Sequence, residues 1–494
     1  MAIAVKDTPT LPRLALTSAK YWPRPAFAWP VLAFGIFFGL LSDVRFRSFN
    51  SDTYMTLTAG RDVAHHGLPG LERLTLGGAA HHWVDQQWLA QWMFFRAWQG
   101  GGNAGVALLA AALTAGAFAL LTALLLVRGT TPGRALEWSV LAFAVALPDT
   151  GVRAQAFAYP LFVGLVWLLL RDLEGRGSPI ALWSAVALLV VWANLHGSVL
   201  LGAVLAAAYC GRQAGRRFGA ERRASVLYAA VGLAALAAPF ATPYGPDTFS
   251  YYRAVLANPA IRSFSSEWQS ARPTTVAALG FFVFVITLAV VLWKSLRRGI
   301  RPDPVLVIVT VALCAAGFYA LRWEAWAAIV GVVLGADLLV RRQASPKTKP
   351  GRARAVLVLG LILVAASSMA LSTQPASRFG SAGPVGAMRA AASYAAAHPR
   401  TAILADDRSA DALLWAHPEL AGRVGFDVRL EIYDRAAVRR WAAFIRGNRS
   451  PLPRSYGILI AGEGNHRLVR RIRTLSDWHV IYDSTDGTVA VRGA

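Results

Sequence analysis

The chain has 494 residues, 55% of them hydrophobic and only 16% charged, with 50 Lys and Arg against 27 Asp and Glu for a formal charge of +23. The apolar residues come in runs too long for ordinary core helices, which excludes a simple soluble enzyme and points to an integral membrane protein. The cations punctuate those runs instead of forming one stripe, so no nucleic-acid partner is expected; topology and anionic lipid headgroups account for the charge.

A basic tail, residues 1–25, carries Lys6, Arg13, Lys20 and Arg24. It precedes an apolar run at 26–42 that lacks a small-x-small cleavage site and reads as an uncleaved anchor. Further apolar runs lie near 104–127, 136–148, 156–170, 180–195, 198–210, 225–238, 276–293, 304–320, 325–340 and 355–372. The set predicts a polytopic α-helical protein of about 11 transmembrane helices, since a helix of roughly 20 apolar residues spans a ~30 Å hydrocarbon core and satisfies its own backbone there. Basic clusters such as Arg212, Arg216, Arg217, Arg222 and Arg223, or Lys294, Arg297, Arg298 and Arg301, fall in every second gap between these runs and so on one side of the membrane. By the positive-inside rule the N-terminus is cytoplasmic, and an odd number of spans leaves the C-terminal region outside.

The loop 43–103 is therefore extracytoplasmic, and it concentrates Asp52, Asp62, His65, His66, His81, His82 and Asp85. Asn50, Ser51 and Asp52 can cap a helix over 53–66 that Gly67 and Pro69 end. A second helix over 84–99 is rich in Trp and fits a helix lying in the membrane interface, and Gly100, Gly101 and Gly102 reset the chain before the next span. Adjacent histidines on one helix point in different directions, so neither histidine pair makes a two-ligand face. No cofactor is expected; a divalent metal is an option that nothing in the sequence supports. Cys210 and Cys314 lie in different apolar segments, which leaves neither a disulfide framework nor a cysteine metal site. The glycine triplet lacks the lysine and hydroxyl residue of a phosphate loop.

Later polar motifs fall on the same outer side: Arg153-Ala-Gln155, Asn194-Leu-His196-Gly197, Pro243-Tyr244-Gly245, Glu267-Trp268, and Arg322 with Glu324. Ionisable groups at membrane depth cost several kcal/mol unless paired or hydrated, so their convergence with Asp52 would mark a functional site, whereas separation would make each a helix terminator. Beyond residue 372 a linker rich in Ser, Pro and Gly, 373–386, leads to a region that alternates strand-like and helical runs: 401–405, 410–415, 423–426, 435–445, 456–461, 466–474, 479–482 and 488–491. That order predicts a small extracytoplasmic α/β domain over 387–494. Its Asp406, Asp407, Asp427, Arg429, Glu431 and Tyr433 form an acidic patch at predicted strand ends, either plain surface loops or a site for an acceptor or partner. No nucleophile elbow, zinc-protease helix or nucleotide fingerprint is present.

A first span followed by a long outer loop with an early acidic residue and two helices along the membrane resembles the GT-C class of membrane glycosyltransferases. Asp52-Thr53-Tyr54 looks like the acidic motif of that loop. Resemblance to bacterial multi-pass relatives extends through Trp83-Val-Asp85-Gln-Gln-Trp88, Arg153-Ala-Gln155, Trp192-Ala-Asn194-Leu-His196-Gly197, Asn258-Pro259 with Glu267-Trp268, and Leu321-Arg322. It covers most of 26–340 through short motifs. The resemblance implies a bacterial inner-membrane enzyme that moves a sugar from a polyprenyl-phosphate donor to an envelope acceptor at the outer face. Asp52 would be the general base, Arg322 and Arg153 would steady the leaving phosphate, His196 or Asp85 would orient a substrate, and Gln155 and Glu267 would line the site. Many such enzymes pair the loop aspartate with an adjacent acid, and here Thr53 stands in that place. The alternative is a non-catalytic component of, or transporter for, envelope glycan assembly, which would place polar groups at the midplane of broken helices.

Overall fold

The computed structural model describes residues 27–45, 49–79, 81–258, 261, 266–339, 350–374, 379, 384–448, 454–462 and 464–493. The basic tail 1–25, much of the linker 373–386 and Pro259 lie outside them.

Each expected apolar run is helical. α1 (Ala28–Leu40) leads into α2 (Ser51–His66) and the long α3 (Trp88–Val127), and α4 (Pro132–Ala146), α5 (Ala158–Arg171), α6 (Pro179–Ala193), α7 (Val199–Arg217) and α8 (Arg222–Ala237) follow. A short α9 (Thr248–Leu256) precedes α10 (Val276–Arg297), α11 (Pro304–Tyr319), α12 (Glu324–Leu339) and α13 (Pro350–Ser372). Among the described residues five helical stretches are long and apolar enough to cross a membrane, within Trp88–Val127, Ala154–Arg176, Arg222–Phe240, Ala278–Arg297 and Gly351–Ser372. The protein is thus a multi-pass membrane protein, with about 11 crossings neither required nor excluded by helix length.

Two chain reversals set up the site. α3 is two helices meeting at a kink, where Gly101 (φ −149°) and Gly102 (φ +57°) leave the helical region, so the Trp-rich segment and the apolar segment run in different directions. The positive φ at Gly102 is open to glycine and costly for residues with a Cβ. The Trp-rich helix starts at Trp88, later than the expected 84, because Asp85, Gln86 and Gln87 form a turn. α1 is clamped to α13 by direct backbone approach: a Cβ at Gly35 would lie 2.6 Å from the Gly360 carbonyl oxygen. Small residues at such a crossing let dispersion forces act in a medium where apolar burial drives no association.

The C-terminal domain is a four-stranded mixed sheet in the order β1-β2-β4-β3. β1 (Ala402–Ala405) runs parallel to β2 (Tyr456–Gly462), and β4 (Gly487–Arg492) is antiparallel to both β2 and β3 (Trp478–Ser484). α14 (Val385–Ala397), α15 (Asp407–Ala416), α16 (Arg435–Ile445) and α17 (His466–Ile472) cover it. The strand expected at 423–426 is reduced to a bridge, in which Val424 pairs with Ile403 on one side and with Thr75 of the first loop on the other. The loop thereby completes the sheet edge: Leu76 N–H donates to the Val424 carbonyl at 2.7 Å and Gly77 N–H to that of Gly425 at 2.9 Å. Arg61 of α2 reinforces the join by donating to the Leu414 and Trp415 carbonyls at 2.7 and 2.8 Å.

Candidate functional site

α2 begins with a reciprocal cap. The Asn50 side chain accepts from the Thr53 N–H at 3.0 Å while the Asn50 N–H donates to Thr53 Oγ1 at 3.3 Å. Capping satisfies two otherwise orphaned donors. Asp52 is therefore the second residue of the helix and its carboxylate is free to face the cavity, whereas Thr53, the residue in place of a second acid, is buried in the capping box.

Asp52 Oδ2 accepts from Arg153 Nη1 at 3.2 Å. The same guanidinium also pairs with Glu267, and its Nη2 donates to both the carboxylate and the carbonyl of Asp149 at 2.9 Å. Asp149 is itself fixed by Gln155 Nε2 at 2.6 Å and the Tyr159 hydroxyl at 3.0 Å. One half-buried cation thus serves three carboxylates. Burial raises the Asp52 proton affinity, Arg153 pulls it down and Glu267 pushes it up, leaving it above the ordinary range. Burial likewise raises Asp149, to about 6, against the pull of Arg153.

Arg322 sits in the single turn between α11 and α12, its guanidinium 4.2 Å from the centroid of the Trp268 ring. The two segments are laced together: Leu321 N–H donates to Gln269 O and Ala271 N–H to Phe318 O, both at 3.1 Å. This strap holds Glu267, Trp268 and Arg322 on one side of the cavity. His196 follows α6 and its Nδ1 lies 2.8 Å from Ser198 Oγ. Burial, with Arg322 and Arg153 nearby, lowers its proton affinity well below the usual value, so its imidazole is neutral. Asp85 is buried in the turn before α3, and burial pushes its carboxyl up to about 7.

All seven residues singled out from the sequence, Asp52, Asp85, Arg153, Gln155, His196, Glu267 and Arg322, line one cavity of about 1020 Å³. They come from five separate inter-helix segments and the start of α2. The cavity is closed on another side by the C-terminal domain, through Asp407, Val428, Arg429, Leu430, Glu431 and Trp441. Glu431, pushed by burial to about 7, is a wall residue whose nearness to Asp85 no local pattern announces.

The acidic patch expected at the strand ends is largely an internal lock. Arg429 Nη1 and Nη2 donate to the two oxygens of Glu72 at 2.6 and 2.8 Å, its Nε donates to Asp427 Oδ2 at 2.9 Å, and its guanidinium stacks 4.2 Å from the Trp83 ring centroid. The Tyr433 hydroxyl donates to Asp427 Oδ1 at 2.8 Å, and Asp406 caps α15 by accepting from the Ser409 N–H at 2.9 Å. Only Asp407, Arg429 and Glu431 of the patch reach the cavity. Asp149 and Glu72 are the functional and locking residues that pattern reading passes over; the one detectable signal is Asp149 four residues ahead of Arg153.

The histidine pairs lie away from the cavity lining. His66 Nδ1 pairs with Asp62 at 2.8 Å and His65 stands edge-on to Phe95. Among the described residues no group of three His, Cys, Asp or Glu side chains is placed to hold a metal ion. The tryptophans of the Trp-rich helix are partly spoken for inside the protein, Trp88 Nε1 donating to Asn194 at 3.1 Å and Trp98 packing edge-on against Trp415 at 4.9 Å.

No protein-family model matches the chain. No curated protein matches it either. Solved structures do, two of them as follows. One is the archaeal oligosaccharyltransferase AglB from Archaeoglobus fulgidus in complex with an inhibitory peptide and a dolichol-phosphate, at 9% identity and a TM-score of 0.50 over 90% of this chain and 70% of that one. The other is the Archaeoglobus fulgidus oligosaccharyltransferase in the apo form, at 11% identity and a TM-score of 0.51 over the same shares, 90% and 70%. On these matches and on the placement of its first loop, the chain has the fold of a GT-C membrane glycosyltransferase.

Proposed function

We propose that the protein is a glycosyltransferase of the bacterial inner membrane, crossing it about 11 times, with a cytoplasmic N-terminus and the C-terminal domain outside. Its donor is a polyprenyl-phosphate sugar and its acceptor a hydroxyl of an envelope glycan. The acceptor oxygen bonds to the anomeric carbon, the bond from that carbon to the phosphate oxygen breaks, and Asp52 takes the hydroxyl proton. Arg322 receives the departing lipid phosphate, because a guanidinium fork matches phosphate oxygens. It is held by stacking on Trp268 rather than by a salt bridge among the described residues, so its donors face the cavity without a competing acid. Arg153 has no such freedom. Both of its Nη groups serve Asp52, Asp149 and Glu267, and its role is to hold Asp52 and set its proton affinity; Gln155 acts behind it, through Asp149.

The observation that carries the reading is the cavity itself, which joins a polar end, Asp52 with Arg322 and His196, to an apolar wall of Leu200, Leu201 and Val204 from α7, Leu256 from α9 and Ile445 from α16. Val204 and Leu256 are exposed at its rim, where a membrane would cover them and a prenyl chain could enter. The solved neighbour with a dolichol-phosphate bound supports the same class of donor. The test is reconstitution of the purified protein in vesicles with radiolabelled polyprenyl-phosphate sugars. Transfer of label to a glycan acceptor with release of polyprenyl phosphate is expected, and intact label in every donor would refute the reading.

A further inference from the structure

The turn before α3 and the first turn of that helix carry three buried oxygens that have no hydrogen-bond donor among the described residues. Asp85, Gln86 and Gln91 are 2%, 1% and 6% exposed and all line the cavity; Asp85 Oδ2, Gln86 Oε1 and Gln91 Oε1 have no hydrogen-bond partner among the described residues, although the Gln91 side chain lies near enough to Asp85 to lower its proton affinity. The Gln86 amide is not free to turn, because its Nε2 donates to the Ala193 carbonyl at 2.7 Å and leaves the oxygen as its spare end. Asp85 is pinned the same way, its Oδ1 receiving the Gln87 N–H at 3.3 Å. A buried acceptor left without a donor is costly, and three together call for donors that none of the described residues supplies.

The neighbouring chain keeps this space open. A Cβ at Gly197 would lie 3.2 Å from Gln86 Oε1 and 3.0 Å from the Tyr251 hydroxyl. Gly197 directly follows His196, and His196 and Arg322 line the same cavity as the three acceptor oxygens. We propose, resting on the reading above, that Asp85, Gln86 and Gln91 form a subsite for the hydroxyls of the sugar carried on the lipid phosphate. Oxygen acceptors call for O–H donors, and two neutral amides beside a carboxyl that burial pushes up to about 7 suit an uncharged sugar better than an anionic or strongly cationic group.

The test uses the full-length protein in lipid nanodiscs, with farnesyl phosphate and its hexosyl and pentosyl esters as probes. Wild type should bind at least one glycosyl ester about tenfold more tightly than farnesyl phosphate, the effect of one or two well-placed hydrogen bonds. Gln86→Leu, Gln91→Leu and Gly197→Ala should abolish that preference and leave farnesyl phosphate affinity unchanged. Preference retained in all three would overturn the subsite and assign the orphaned oxygens to water. Equal losses for both kinds of probe would overturn it as well. If the leucine variants do not fold, Asp85→Asn, which keeps the shape and replaces one acceptor by a donor, decides by the same criterion. Wild type binding farnesyl phosphate with no preference sinks the subsite alone, whereas wild type binding no probe sinks the donor class on which it rests.

Discussion

Arg153 Nη1 meets Asp52 Oδ2 at 3.2 Å across 101 residues of sequence, and the pair ties the proton affinity of the proposed base to a residue between α4 and α5. Glu267 opposes it, since its charge raises Asp52 while Arg153 lowers it. Asp52 must be ionised to act, so activity should rise with pH through its raised value. Glu267→Gln should move that acid limb of kcat to lower pH, and Arg153→Gln should move it up, each by roughly one to three units. Profiles that fail to move in opposite directions contradict the electrostatic link.

Asp52, Asp149 and Glu267 all pair with the Arg153 guanidinium, which places a fixed positive charge where three acids could otherwise attract a cation. Transfer should therefore survive treatment with a strong chelator. Loss of activity on chelation, restored by added manganese or magnesium, would show that a metal acts here after all.

Docking of the C-terminal domain rests on the Arg429 lock, whose members Arg429, Glu72 and Asp427 are all buried. Arg429→Met leaves two uncompensated buried carboxylates, a loss of about 3–5 kcal/mol. The expected result is a lower melting temperature and faster proteolysis between the membrane body and the sheet domain. The double variant Glu72→Gln, Arg429→Met should recover part of the loss, because fewer charges remain unpaired.

Much of this architecture was legible in the sequence because its signals are local. Apolar runs marked most helices of the membrane body, Asn50, Ser51 and Asp52 marked the start of α2, and alternating short runs marked the sheet domain. Convergence of Asp52, Arg153, His196, Glu267 and Arg322 could be expected from topology, which puts their segments on one side, but not the pairing among them. The phosphate role for Arg153 came from the resemblance alone, and its pairing with three acids was hidden because two are distant in sequence and the third, Asp149, is a loop residue. Glu72 and Arg429 were beyond reach for the same reason: residues 357 apart share a buried contact that neither periodicity nor composition records.

Asp85 and Glu431 are both pushed up to about 7 by burial. A carboxyl raised in the folded state favours folding below its unfolded value near 4 and loses that contribution as pH climbs through the folded value. Thermal stability should thus fall between about pH 4 and pH 7, apart from other groups. The double variant Asp85→Asn, Glu431→Gln should show a flatter pH dependence of the melting temperature over that window. An identical slope would mean that neither group is protonated in the folded protein.

The central claim is that Asp52 removes the acceptor proton. Its most direct measurement is the single-turnover rate of sugar transfer by Asp52→Asn against wild type, with donor affinity measured on the same samples. The account predicts a rate lower by about 10²–10⁴-fold, the usual worth of a general base, with donor affinity retained. Wild-type turnover by Asp52→Asn would contradict it.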